Sequence, residues 1–411
     1  MAFTLSKVRS VSLLTNSTSP IAIDFGIGSL KVLQIGVGDE YSLIAAAQAE
    51  VPDDVQTDHV KRLDFQAEAL ARIIRGGAFK GKRAMCAIPA SQVFCRHLQF
   101  AKSESDIAGA VRSAIPATLG CHPDALVYRH SVVGGVTGAV PSTKQEVISF
   151  AVPLELIRRV MDALRGCKLE PVGIHPSTLA TMRGFDVLCR REEDKNTVSA
   201  YIDLGAGATT CIMAHGKEMV FAKTINIGGR HLDEAAAAQL RCGVTWARTQ
   251  RREAIEIVPA RTPESSPPAS SAFDDATGES DLAVAPSAAP PTSATSSNGV
   301  HADAKPTGKQ IRLDLSSQLE CLADEIWMCL RYHADLFPEK RLSRLILVGG
   351  ESRNALLVSR LASRLDIEVQ VADPMALVAK HGTEVARDVD VKQPLPGWTT
   401  TLGLCLCPAD L

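Results

Sequence analysis

One phrase occurs twice in this chain, and it constrains the fold more than any other feature. Residues 21 to 31 read IAIDFGIGSLK and residues 200 to 210 read AYIDLGAGATT, so Asp24 and Asp203 occupy equivalent places. In each copy an apolar run ends in Asp-apolar-Gly-x-Gly, with a hydroxyl residue just beyond. A motif repeated in the same setting indicates an internal duplication. We therefore predict two related halves.

Each copy of the phrase opens a predicted β-meander. Residues 21 to 49 read as three strands joined by turns that contain glycine, and a helix follows from about Thr57 to Arg75. From residue 169 the pattern begins again with a strand, a helix near 176 to 189 and a second meander. The predicted fold class is therefore α/β.

The sequence also predicts the structure of three further segments. Residues 91 to 168 read as a separate small unit of strands and helices. Residues 229 to 256 predict one helix, whose arginines are expected on a solvated face, with a basic patch as the alternative. These arginines are Arg241, Arg248, Arg251 and Arg252. In the closing segment TTTLGLCLC, Cys405 and Cys407 are expected on one face of a terminal strand.

The stretch from 259 to 309 differs in composition from the rest of the chain. It contains eight prolines, many Ser, Ala and Thr residues, and a single aromatic residue, Phe273. Such a segment can bury too little apolar surface to offset the entropy lost on ordering. We predict a disordered insertion within the second half, with an interdomain linker as the alternative.

The repeated acid suits phosphate and magnesium binding in a cleft between the two halves. Glycines let the backbone come close to phosphate oxygens, hydroxyls add donors, and Asp24 and Asp203 supply the hard oxygen ligands that Mg²⁺ requires. Lys31 adds a point charge for a phosphate. The glycines and hydroxyls expected to contact the ligand are Gly26, Gly28, Ser29, Gly205, Gly207, Thr209 and Thr210.

A plainer interpretation exists for each acid taken alone. An Asp in a β-turn most often bonds its own backbone and serves no ligand. The paired occurrence favours the ligand site, because one turn does not predict a copy of itself in an equivalent position.

A third element completes the pattern. The segment SRLILVGGESRNALL is a buried strand that ends in Gly349 and Gly350 and opens a helix. Such a junction suits the close approach of a nucleoside to the backbone at the carboxyl end of a strand. Tight packing explains the two glycines equally well when they are considered alone.

The order of acid hairpin, acid hairpin and Gly-Gly helix resembles the actin-like ATPase superfamily, to which actin and sugar kinases belong. Within it, the phrases ASQVFCRHLQF, EPVGIHPSTLA, FAKTINIGG and LADEIWMCLRYH resemble the PilM family of type IV pilus assembly proteins. The resemblance implies a two-lobed actin-like fold of duplicated ribonuclease H-like domains with a small inserted α+β subdomain. It also implies ATP and Mg²⁺ as ligands, with Gly228, Gly229 and Glu325 as further nucleotide contacts.

The resemblance also divides the chain. Residues 1–19 are expected as an N-terminal extension and 91–168 as the inserted subdomain. The remaining boundaries are 20–90 and 169–190 for the first lobe, 191–258 and 310–380 for the second lobe, 259–309 for the insertion, and 381–411 for a closing segment that returns to the first lobe.

The implied partner is the cytoplasmic peptide of a PilN-like membrane protein, and self-association is a further possibility. Turnover is expected to be that of a slow ATPase at most, since Asp203 is the one candidate for a catalytic residue. The alternatives are an FtsA-like filament-forming protein and a small-molecule kinase of the same superfamily. We expect no amphipathic membrane helix after TTTLGLCLCPADL, whereas FtsA carries one, and this difference favours PilM.

Charge and cysteine content bound the remaining classes of function. With 44 basic and 46 acidic residues, the chain has no net field that would attract nucleic acid or an anionic membrane. The 11 cysteines show no metal-binding spacing, which is typical of reduced thiols in the cytosol. We expect a cytoplasmic protein that reaches the inner-membrane face only through its partners.

Overall fold

The two copies of the acidic phrase each begin a β-sheet. A computed structural model describes residues 17–134, 143–186, 193–253, 256–257, 312–382 and 384–409.

The elements follow one another along the chain in three groups. The first group is β1 (Ser17–Thr18), β2 (Ile21–Phe25), β3 (Ser29–Val37), β4 (Tyr41–Glu50), α1 (His59–Arg75), β5 (Arg83–Ile88), β6 (Phe94–Ala101), α2 (Ile107–Leu119), β7 (Leu126–Val132), β8 (Lys144–Pro153), α3 (Leu154–Gly166), β9 (Glu170–Pro176) and α4 (Ser177–Arg183). The second group is β10 (Val198–Leu204), β11 (Thr209–His215), β12 (Glu218–Ile225), α5 (Gly229–Leu240), α6 (Val244–Glu253) and β13 (Glu256–Ile257). The third group is β14 (Arg312–Leu313), α7 (Ser316–Leu336), β15 (Arg344–Val348), α8 (Ala355–Leu365), β16 (Val369–Val371), β17 (Val378–Ala379), β18 (Val385–Arg387) and α9 (Thr399–Leu406).

Two sheets of the same topology form the two lobes. The first sheet has the strand order β17-β4-β3-β2-β5-β9, with β1 paired to β3 and β18 paired to β4. The second has the order β12-β11-β10-β15-β16. In both, an antiparallel meander continues into parallel strands beside its first strand. The predicted α/β fold with two related halves is confirmed.

A small sheet lies within the segment that the sequence marks as separate. Its strand order is β6-β8-β7, and α2 covers one face of it. Val111 and Ile115 of α2 form a small core with Val147 and Ala151 of β8. The boundaries of the predicted subdomain stay a prediction.

Helices α4 and α9 cross at very close range beside the first sheet. A side chain at Gly403 of α9 would collide with the carbonyl oxygen of Ala180 in α4, and one at Gly184 would lie 2.9 Å from the carbonyl oxygen of Thr399. The prediction of a terminal strand at Cys405 and Cys407 is therefore wrong. Residues from Thr399 to Cys405 are buried all round, and this packing overrides the strand-like alternation of their sequence.

The prediction of one helix over 229–256 is also wrong, because the structure has two helices there. Arg241 adopts a left-handed conformation, with φ of 52°, and separates α5 from α6. The predicted insertion at 259–309 lies outside the described residues. Its two flanks are held together, because Ile257 of β13 pairs in parallel with Leu313 of β14.

Candidate functional site

The turns of the two acid hairpins touch each other. A side-chain carbon built on Gly28 would lie 3.0 Å from Cβ of Ala206, and one built on Gly207 would lie 2.7 Å from Cγ1 of Ile27. Any residue with a side chain at Gly207 would therefore have to displace Ile27. The glycine spacing of each motif lets the two turns meet at a single cleft.

Two carboxylates and one ammonium group lie at the inner end of this cleft. Asp24 is paired with Lys31 across the β2–β3 ladder, and Lys31 Nζ lies 3.9 Å from Asp24 Oδ2. Burial raises the pKa of Asp24, although Lys31 opposes the rise. Burial also raises the pKa of Asp203 to about 6, where Lys31 lowers it and Asp24 raises it further. One lysine thus offsets the charge of two acids, Asp24, which is buried, and Asp203, which is partly exposed. Excess negative charge remains when both acids are ionised.

Threonine side chains hold Asp203 from the side of the crossing helices. Thr181 Oγ1 of α4 lies 3.4 Å from Asp203 Oδ2 and 2.8 Å from Thr400 Oγ1 of α9. The second acid is therefore bonded to α4 and, through Thr181, linked to α9.

The strand that ends in two glycines lies directly beside Asp203. Val348, the last residue of β15, pairs in parallel with Asp203. Gly349 has φ of +91°, and a side chain there would collide with the Asp203 carboxylate and with the carbonyl oxygen of Leu204. At Gly350, in contrast, no atom of the described residues lies within 4 Å of the side-chain position. The first glycine is required by packing, whereas the second leaves the backbone bare towards the cleft.

The resulting cleft has a volume of about 570 Å³. The structure brings eleven of the sequence-predicted residues to its wall, and their contacts with a ligand stay a prediction. These residues are Asp24, Gly26, Gly28, Ser29, Lys31, Asp203, Gly205, Gly207, Thr210, Gly349 and Gly350.

Three other predicted residues lie behind the second turn and support it. Thr209 donates its hydroxyl to the carbonyl of Ile227, at 2.7 Å. Gly229 N donates to the Gly205 carbonyl at 2.9 Å. A side chain at Gly228 would come within 2.7 Å of the carbonyl oxygens of Gly205 and Ala206. These residues shape the turn from outside the cleft wall.

Glu325 lies away from the predicted site. It belongs to α7, and its Oε2 forms an ion pair with Lys223 Nζ of β12 at 2.6 Å. Glu325 is not among the residues that line the cleft, and the nucleoside contact expected there stays a prediction.

The sequence did not predict that arginines of α6 lie at the cleft. The side chain of Arg251 is only 1% exposed and bridges two buried acids, Asp233 of α5 and Glu351 after β15, at 2.7 Å each. Arg248 and Arg252 line the cleft. The expected solvated face is therefore wrong for Arg251 and in part for Arg248, whereas Arg241 and Arg252 are exposed. The spacing of three and four residues along α6 was the available signal, but it identifies a shared face without saying what covers it.

A second cavity, of about 730 Å³, adjoins the first. It lies between α1, the start of α3, the start of α5 and the two hairpin turns. Its walls share Ile27, Gln56, Ser91, Gly207 and Arg230 with the cleft. A change in the position of the turns would therefore alter the shape of both cavities.

The described residues contain neither a ready-made metal cluster nor a helix suited to span a membrane. Within the described ranges, no group of three or more His, Cys, Asp and Glu side chains could hold a metal ion unaided. In the part of the chain that the structure describes, none of the helices combines the length and the apolar character needed to cross a bilayer.

Comparison with known proteins gives a matching family model and similar solved structures. A family model described as type IV pilus assembly protein PilM matches residues 22–254. Comparison with curated proteins gives no match. The structure is similar to that of a PilM-PilN type IV pilus biogenesis complex, with a TM-score of 0.63 and 16% sequence identity over 95% of this chain and 98% of that chain.

Two weaker likenesses have TM-scores below 0.5. Ethanolamine utilization protein EutJ from Carboxydothermus hydrogenoformans gives 0.44, with 13% identity over 96% of this chain and 90% of that chain. The cytoplasmic domain of EpsL, from the type II secretion system of Vibrio cholerae, gives 0.34, with 13% identity over 55% and 78%. The predicted actin-like, two-lobed fold is confirmed by the first likeness.

Proposed function

The chain belongs to the PilM family of type IV pilus assembly proteins, and we propose that it binds ATP with Mg²⁺ between its lobes. Nucleotide binding would control its affinity for the cytoplasmic peptide of a PilN-like membrane protein. The observation that carries the proposal is the meeting of Asp24, Asp203 and Gly349 in one cleft, since packing alone explains each motif but not their convergence.

The residues present fit the proposed ligand. Mg²⁺ is usually held by one or two carboxylates, with substrate phosphates and waters as the other ligands, and Asp24 and Asp203 form such a pair. A bound cation would relieve the charge that Lys31 only partly neutralises. The bare backbone of the two turns suits phosphate oxygens, and a cleft of about 570 Å³ is within the usual range for small-molecule sites.

Regulated binding is favoured over rapid catalysis. Fast phosphoryl transfer requires a group that orients the attacking nucleophile beside the γ-phosphate. Asp203 is the one residue that the sequence offers for this role, and its carboxylate already packs against Gly349 and accepts from Thr181. We therefore expect slow turnover.

The second cavity is the proposed place of the partner peptide. The structure named above contains PilM together with PilN, which supports a peptide partner of the same kind here. Apolar residues for such a peptide are Val60 and Leu63 of α1 and Leu156 of α3. Because Ile27 and Gly207 line both cavities, a nucleotide that moves the turns can change peptide affinity by linkage. Such a partner would recruit the protein to the inner-membrane face.

The test measures nucleotide and peptide binding on one preparation. A fluorescent ATP analogue is titrated with and without Mg²⁺, and a labelled N-terminal peptide of the PilN-like protein is then titrated in both nucleotide states. We expect Mg²⁺-dependent nucleotide binding, and peptide affinities that differ between the two states. Asp24→Asn and Asp203→Asn should each weaken Mg·ATP binding about tenfold or more, whereas Asp39→Asn, an exposed acid in the β3–β4 turn, should not.

Three results would contradict the proposal. If the two acid variants bind Mg·ATP as tightly as the parent, the acids stabilise only their own β-turns and do not contact a ligand. If peptide affinity is the same in both nucleotide states, nucleotide does not control peptide binding and the protein is a passive scaffold. Rapid phosphoryl transfer to a small acceptor, without peptide binding, would favour a kinase, and ATP-dependent filaments without peptide binding would favour an FtsA-like protein.

A further inference from the structure

An ion pair joins the two lobes at the cleft. Asp53 lies in the turn after β4 of the first lobe, and Arg248 lies on α6 of the second. Arg248 Nη2 is 2.5 Å from Asp53 Oδ1, and the Thr245 hydroxyl donates to Asp53 Oδ2 at 2.6 Å. Both oxygens of one carboxylate in the first lobe are therefore bonded to a single helix of the second lobe.

Asp53 is fixed from its own side. Gln56 is 3% exposed, and its side-chain amide donates both to the carbonyl of Val51, at 2.9 Å, and to Asp53 Oδ1, at 3.0 Å. The carbonyl of Gln56 in turn accepts from Arg62 Nη1 of α1, at 2.5 Å. The turn is thus held in one conformation that presents the carboxylate to α6.

Arg248 is fixed from the other side by buried charges. Its Nε donates to Asp233 Oδ2 at 2.7 Å, while the other oxygen of Asp233 bonds Arg251, which in turn bonds Glu351. The side chains of Asp233, Arg251 and Glu351 are 2%, 1% and 5% exposed. Buried charge-assisted hydrogen bonds of this kind leave little freedom to the groups that make them.

The charges of the bridge persist at neutral pH. Partial burial alone would raise the pKa of Asp53, but the hydrogen bonds from Thr245 and Arg248, together with the nearby charges of Arg248 and Arg230, lower it below its usual range. The Asp53 side chain is 24% exposed and that of Arg248 is 20% exposed, so water screens the pair only in part.

We propose that Asp53, Thr245 and Arg248 form an interlobe clasp that must open before a nucleotide can leave the cleft. The proposal rests on the nucleotide-binding function proposed above. Arg248 lines the cleft. The lobes also meet where the two hairpin turns touch, where Gly349 N donates to the Pro396 carbonyl at 3.1 Å, and beside the crossing of α4 and α9, where Gly403 packs on Ala180. Rotation of the lobes about that crossing pulls α6 away from the turn after β4. The clasp therefore sets the rate of nucleotide release.

The first measurement is the release rate of a fluorescent ATP analogue, chased with excess ATP in stopped flow. Among the described residues, Asp53 and Thr245 lie outside the cleft lining, so their substitution alters the clasp without removing a ligand contact. Asp53→Asn should speed release about five- to thirtyfold, because coupling energies of partly buried charge pairs reach this size. Thr245→Val should speed it about five- to tenfold, the effect of losing one hydrogen bond to a partly exposed, ionised carboxylate.

Controls separate the clasp from general loosening of α6. Thr249→Val makes the same chemical change one turn further along the helix, where the hydroxyl donates to the carbonyl of Thr245 within α6, and it should leave release unchanged. Raising the salt concentration should speed release in the parent but much less in Asp53→Asn, because screening acts on the ion pair. Unchanged thermal unfolding would verify that each variant folds.

The second measurement uses the nucleotide-free protein, so that it does not depend on nucleotide binding. Hydrogen exchange of the amides in residues 51–58 and in α6 should be faster in Asp53→Asn than in the parent and in Thr249→Val. If the parent binds no nucleotide, the proposed function fails and hydrogen exchange alone decides the clasp. Release rates and exchange rates that match the parent in both Asp53→Asn and Thr245→Val would overturn the clasp.

Discussion

Replacing Asp203 by Asn is expected to make the empty protein more stable while weakening its binding of Mg·ATP. Burial raises the pKa of this carboxyl from 3.8 to about 6, with a further contribution from Asp24 and an opposing one from Lys31. Ionisation of Asp203 is therefore less favourable in the folded protein than in the unfolded chain, and the ionised carboxylate destabilises the fold. A neutral amide of the same size removes that free-energy cost.

The magnitude follows from the two pKa values. A rise from 3.8 to about 6 corresponds to about 3 kcal/mol, at about 1.4 kcal/mol for each unit. The Asp203 side chain remains in part accessible to water, so we expect about 1 to 3 kcal/mol. Because the folded pKa is the higher one, the carboxyl is protonated in both states below about pH 4 and costs nothing there. The destabilisation grows between about pH 4 and pH 6 and is complete at pH 7.

The assay is urea unfolding of the parent and Asp203→Asn in EDTA, at several values of pH from 4 to 8. The difference in unfolding free energy should be close to zero at the lowest pH and should favour the variant by about 1 to 3 kcal/mol at pH 7. Asp39→Asn is the matched control, since this acid is exposed, and it should show no such growth. A difference that does not change with pH, or a variant less stable than the parent at pH 7, would refute the reasoning.

Three further predictions follow from the packing around the cleft. Gly349→Ala should lower the unfolding free energy by about 2 to 4 kcal/mol and weaken nucleotide binding, because φ is +91° and the methyl group meets Leu204. Arg251→Met should lower it by about 3 to 5 kcal/mol in urea unfolding, because Glu351 loses a buried partner. Replacing 258–311 by a short Gly-Ser linker should leave thermal unfolding and nucleotide affinity nearly unchanged, because that composition predicts little burial; a large drop in melting temperature would contradict it.

The sequence alone determined the two acid hairpins and their meeting. Each hairpin is a local structure, because strand periodicity and glycine positions within about a dozen residues specify it. The duplication then implied that Asp24 and Asp203 occupy equivalent ends of equivalent sheets. The order of these elements along the sequence also carried the family resemblance, which the family model and the fold confirm.

The closing segment shows where local pattern fails. Alternation of leucine with glycine and cysteine in residues 402–407 predicts a strand, yet the segment is the helix α9. It is buried between α4 and the first sheet, and the absence of a side chain at Gly403 permits that crossing. A segment with apolar contacts on every side has no amphipathic period, so its sequence cannot distinguish a helix from a strand.

Only the tertiary structure decided the charge network of the cleft. Asp53, Asp233 and Glu351 come from distant parts of the chain, and each reads as an ordinary surface acid within its own segment. They meet the arginines of α6 because the two sheets and α5 bring them together. No spacing along the sequence predicts ion pairs of this kind. The tertiary arrangement of the lobes determines which charged residues meet, and the local periodicity of the chain does not.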